Sequence, residues 1–110
     1  MDYEILYYSE KVEEKILSLP DSLAARYVVL TRRMTALGAN LGPPHTDSFG
    51  EGLFELRLKG AEGIARVFFC TLIGRRIMML HTFVKKTRKK PLRGIEIARK
   101  RIKEIKHANA

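Results

Sequence analysis

Cysteine is almost missing from this sequence. Cys70 stands alone, so no internal disulfide can form, and no Cys/His grouping has the spacing of a zinc site. That usage fits a reducing, cytoplasmic setting. No apolar run reaches the roughly 18 residues a membrane helix needs, and no basic-then-apolar opening marks a signal peptide. Neither a membrane contact nor an export leader is expected. Acidic residues thin out along the chain: residues 81–110 hold 2 of them against 11 Lys/Arg. Cys70 itself lies within an apolar run and reads as a buried structural thiol.

What remains is enough for a core. The chain has 110 residues, 45% of them hydrophobic, which suits one folded domain spanning 1–110. The net charge of +9 is spread unevenly, with −3 in residues 1–30, +3 in 31–80 and +9 in 81–110. A basic pole on a small domain implies a polyanionic partner, with RNA or DNA first in line. A solvated basic tail is the plainer alternative.

Tyr3–Tyr8 reads as an opening strand. Ser9 is placed to cap a helix carrying Val12, Ile16 and Leu19 on one face, and Pro20 stops it. Asp21 or Ser22 starts a longer helix with Leu23, Tyr27, Leu30, Met34 and Leu37 in one stripe, closed by Gly38. Residues 39–50 read as a turn-rich loop. Three strands follow: Leu53–Lys59, Gly63–Leu72 and Arg75–Phe83. Pro91 then opens a basic amphipathic helix with Ile95, Ala98, Ile102 and Ile105 on its apolar side. The order is β-α-α-β-β-β-α, an α+β arrangement. The helical hairpin should cover one sheet face and leave the other partly open.

Strand alternation sends Arg57 away from Phe54, Leu56 and Leu58, and Arg66 away from Val67 and Phe69. If Leu80 belongs to the hairpin-side core, His81, Phe83 and Lys85 join the arginines on the open face. Such a set suits metal-free RNA cleavage. Arginines neutralise the phosphate, a histidine or a cation-depressed lysine moves a proton, and an aromatic stacks on a base. The plainer reading also stands at this point: Arg57 and Glu55 form a surface pair, and His81 is a satisfied strand residue.

The stretches FELRLKGAEGIARVFF and GRRIMMLHTFVKKTRKKP, with LPDSLAARY and NLGPPHTDSFGEGLFELR before them, resemble the HigB-like, phage-derived branch of the RelE/ParE toxin superfamily. The resemblance covers nearly the whole chain. It implies a RelE-like fold and a toxin of a type II toxin–antitoxin system that cuts mRNA in the ribosomal A site without a cofactor or metal. It also implies neutralisation by an antitoxin, typically a helix-turn-helix protein, with operator DNA bound only through the complex. By the same resemblance, Arg66 braces the scissile phosphate, Arg57 supports it from the next strand, and His81, Lys85 and Lys86 handle protons and phosphate. Lys59, Arg75, Arg76, Phe83, Arg88, Lys89, Lys90 and Arg93 are expected to contact RNA, with Arg75, Arg76 and the basic residues of 88–103 docking on rRNA. Phe69 stands where many relatives have tyrosine, and the terminal tyrosine of several members is missing, so no hydroxyl acid or base is available there. A gyrase poison on the same scaffold and a non-catalytic RNA-binding module remain as alternatives at this level.

Overall fold

The computed structural model describes residues 2–85 and 90–108, the side chains of 107 and 108 excepted. Its elements are β1 (Glu4–Tyr7), α1 (Glu10–Leu17), α2 (Asp21–Leu37), β2 (Thr46–Gly50), β3 (Leu53–Gly60), β4 (Gly63–Leu72), β5 (Arg76–Val84) and α3 (Leu92–Ala108). The fold is α+β. One five-stranded sheet runs in the order β1-β5-β4-β3-β2. β2 to β5 form an antiparallel meander, and β1 joins the far edge parallel to β5.

Local chemistry accounts for the helices. The Ser9 side chain accepts from the Val12 amide at 3.2 Å, the N-cap bond expected of it. α2 has no cap of its own. Glu62, from the β3–β4 turn, accepts from the Ser22 amide at 2.8 Å, and the Ser22 hydroxyl accepts from the Glu62 amide at 3.2 Å. A distant turn thereby satisfies a helix-start donor that the local sequence leaves unpaired. Gly38 ends α2 at φ +112°, a conformation that disfavours a side chain, and its amide reaches the Met34 carbonyl at 2.9 Å.

The hairpin of α1 and α2 packs Val12, Ile16, Leu23, Tyr27, Leu30 and Met34 onto one sheet face, against Leu56, Leu58, Val67, Phe69, Ile77 and Met79. Each such side chain contributes about 1.5–3 kcal/mol when fully buried. Leu37 departs from the expected stripe: it is 77% exposed at the helix end.

The second sheet face is less open than the alternation suggests. α3 lays Ile95, Ala98 and Ile102 over Leu53, Phe68, Cys70 and Leu80, forming a second apolar core. The residues read as loop from 39 to 50 also contain a strand, β2, which pairs Thr46 with Leu56 and Asp47 with Glu55. Its sequence TDSFG lacks apolar alternation because it is an edge strand with one buried residue at its start, Thr46.

Candidate functional site

Three rows of side chains cross the α3 side of the sheet. Arg57 on β3 pairs directly with Arg66 on β4, which pairs with Phe83 on β5. One step toward α3, Glu55, Phe68 and His81 are aligned in the same way. One step the other way, Lys59 faces Ile64, whose carbonyl accepts the Lys85 amide at 2.7 Å. Arg57, Arg66, His81, Phe83, Lys59 and Lys85 therefore fall on one region of the sheet.

Alternation alone does not produce that alignment. Phe68 pairs with His81 but Phe69 pairs with Met79, so β5 carries a bulge at Leu80. Leu80 belongs to the α3-side core with Phe68, contrary to the hairpin-side placement that simple parity required. The extra residue lets Leu80 and His81 follow one another on the same side.

Two arginines directly across a strand pair repel, and the fold compensates with a buried anion. Glu55 is fully buried. Its Oε2 accepts from Arg57 Nε at 3.2 Å, and Arg66 Nη1 lies 2.7 Å from its Oε1. The Arg66 contact supplies charge without an aligned hydrogen bond, and Arg66 Nε, also buried, has no partner among the described residues. Asp47 on β2 accepts from Arg57 Nη2 at 3.1 Å, and the Arg57 amide donates to the His45 carbonyl at 2.8 Å. Glu55 is thus no surface partner: it is fully buried, and its carboxylate braces both guanidiniums. Sequence spacing placed it on the correct face but carried no signal of its burial.

The arginines differ in access. The Arg57 side chain is 40% exposed and that of Arg66 12%. Arg66 is a fixed, nearly enclosed cation, and Arg57 remains accessible to solvent. An incoming phosphate would meet Arg57 first and compete with the half-exposed Asp47 carboxylate for it.

His81 lies next to Phe83 along the same side of β5, with ring centroids 6.0 Å apart. Burial, then the positive charges of Arg101 and Lys15, push its imidazole down from 6.5 to about 4. At neutral pH it is uncharged, with roughly one ring in a thousand protonated. It can accept a proton but is rarely able to donate one in the free protein. Gly94 in the first turns of α3 makes this packing close, because a β-carbon there would lie 2.9 Å from the Phe68 ring and 3.1 Å from Phe83.

The remaining candidates divide. Lys90 and Arg93 are exposed beside His81 and Phe83 in a hollow of about 570 Å³. Arg75 and Arg76 sit at the β4–β5 turn, at the opposite end of β5 from Phe83. There Arg75 lies 5.7 Å over the Tyr3 ring, and Arg76 Nε donates to the Ile73 carbonyl at 2.9 Å. They do not join the Arg57–Arg66 region. Lys86, Arg88 and Lys89 lie outside the described residues. Cys70 is buried and its thiol is pushed up to about 11 by burial, which suits a structural residue.

Among the described residues, no three His, Cys, Asp or Glu side chains converge as a metal site, and no helix is long and apolar enough to cross a membrane. A comparison with curated proteins finds no match. A family model does match, over residues 14–103, which include the helical hairpin from within α1, all of the β2–β5 meander and most of α3. With that match across most of its length, the chain belongs to the family described as phage derived protein Gp49-like (DUF891).

Proposed function

We propose that this protein is the toxin of a type II toxin–antitoxin pair and acts as a ribosome-dependent mRNA endoribonuclease. The observation that carries the reading is the Arg57–Glu55–Arg66 cluster, two guanidiniums on adjacent strands fixed by one buried carboxylate. Fixed positive charge at the point where a phosphate gains negative charge is what this reaction needs, and preorganisation removes the cost of orienting it. The Gp49-like family and the HigB-like sequence pattern support the same reading.

In the proposed reaction the ribose 2′-OH attacks its adjacent phosphorus while its proton moves to a base. A 2′,3′-cyclic phosphate forms, and the 5′-oxygen leaves with a proton. Arg57 binds the phosphate and Arg66 stabilises the added charge from behind. Neutral His81 is the proton acceptor, since its suppressed charge leaves the ring nitrogen available, and an RNA anion beside it would raise its basicity. Lys85, at the open end of β5, is the described cation placed to assist the leaving group. The basic residues of α3 within the 88–103 stretch (Arg93, Arg99, Lys100, Arg101 and Lys103) supply a surface for rRNA. A helix-turn-helix antitoxin is the proposed neutralising partner.

Primer extension on an mRNA in a purified translation system tests this. The expected result is cuts within codons that require translating ribosomes and disappear in a folded Arg66→Ala variant. Intact mRNA while the wild type still arrests growth would overturn the ribonuclease reading. Broken chromosomal DNA under those conditions would point to gyrase.

A further inference from the structure

β1 pairs with β5 only as far as Met79, while β5 continues to Val84. Beyond that point the edge of β5 is flanked by α1 on one side and α3 on the other. Two adjoining hollows, of about 670 and 570 Å³, run along it and share Lys15, His81 and Ile97. Lys11 and Lys15 line it from α1, Arg101 and Arg93 from α3, and Lys90 from the segment before α3. Glu14 is the acidic residue in this lining.

This charge is unspent. Among the described residues no ion pair engages Lys11, Lys15, Lys90 or Arg93. Arg101 is held in place: its Nη1 donates to the Leu80 carbonyl at 2.5 Å, and its guanidinium lies 4.6 Å over the Tyr8 ring. At the α3 end the floor is aromatic. His81 and Phe83 lie side by side, and Phe83 is the strand partner of Arg66.

We propose that this groove is a binding track for one single-stranded segment of RNA, with Phe83 as the stacking platform leading from it to Arg66. Cations spaced along a channel with flat rings on its floor match a sugar–phosphate backbone whose bases are unpaired. An added peptide strand fits less well. Beyond Met79, the Leu80 carbonyl already accepts from Arg101 Nη1 and is not free for strand pairing. The inference deepens the ribonuclease reading by giving the substrate a path, and it brings in Lys11 and Lys15, which lie in the acidic first third of the chain. Sequence charge alone directed attention away from them.

The test is fluorescence anisotropy with the full chain and a labelled ten-nucleotide 2′-O-methyl RNA, which cannot be cleaved by 2′-OH attack. A Lys11→Ser/Lys15→Ser variant is expected to bind about tenfold more weakly. Its log–log salt dependence should be shallower by about 1.4, the loss of two phosphate contacts on a single strand. Thermal unfolding should be unchanged, since both side chains are exposed. Equal affinity and equal salt slope in wild type and variant would overturn the track while leaving the cleavage reading intact. Lys11- and Lys15-dependent RNA binding by a protein that cuts no mRNA would keep the track and remove the ribonuclease. Binding of a glutamate decapeptide that needs these lysines, with no RNA binding, would overturn the track in favour of an acidic protein partner.

Discussion

Glu55→Gln removes one charge from the centre of the arginine cluster while preserving its shape. The carboxylate is fully enclosed and lies 2.7 Å from one guanidinium and 3.2 Å from another. Glutamine replaces one acceptor oxygen with an NH2 that faces an arginine donor. Removing one partner of a buried ion pair costs about 3–5 kcal/mol. Arg57, 40% exposed, is partly screened by solvent and contributes little to that loss. Arg66, at 12%, has no such relief. The expected loss is therefore about 3 kcal/mol, nearly all of it through Arg66, or about 10 °C or more in Tm for a domain of this size. Urea denaturation followed by circular dichroism measures it. The decisive comparison is Glu55→Leu/Arg66→Met, which removes both buried charges and should recover most of the stability while abolishing RNA cleavage. A Glu55→Gln loss below about 1 kcal/mol, or a double variant as unstable as the sum of its single variants, would refute the bracing role.

Two further outcomes follow from the packing beneath α3. Gly94→Ala gains helix propensity of about 1 kcal/mol but overpacks the Phe68 and Phe83 rings by about 1–3 kcal/mol, so urea melts should show a net loss; a stabilised variant would mean that α3 can lift from the sheet. Burial holds folded His81 at about 4, below its ordinary 6.5, so its contribution is fully present above pH 6.5, declines as pH falls and is gone once pH has passed through 4. The ring is only half-buried, so solvent screening limits the loss to about 1–2 kcal/mol. His81→Gln should flatten that part of the pH–stability profile, and identical slopes in the two proteins would refute the assignment.

Much of this architecture is legible in the residues. The alternation FELRL marks β3 and correctly places Arg57 opposite the hairpin core. Ser9 and Gly38 punctuate the helices where the structure begins and ends them. Other features follow from contacts between distant segments. Alternation tells which face Glu55 occupies, but its burial depends on partners from other strands, among them Arg66 and Phe68 of β4. The TDSFG strand takes its hydrogen bonds from β3, with no propensity of its own to announce it. The bulge at Leu80 is invisible in a run of consecutive apolar residues, because MML satisfies either face. His81 reached the expected side for a reason that parity did not contain.

The position of β1 has a consequence for how the molecule comes into being. The meander from β2 to β5 is made of neighbouring hairpins and can assemble from local contacts. β1 has no such neighbour: Glu4 waits for Arg76, and the two must meet across nearly the whole of the intervening chain. Pairings of that span are slow, because chain entropy is lost before any contact is gained. α3, which covers the second core, is synthesised later still. On a ribosome, the first strand therefore emerges long before its partner, and the groove beside His81 and Phe83 gains its α3 wall only when that helix docks. The order of synthesis thus leaves the candidate site until last.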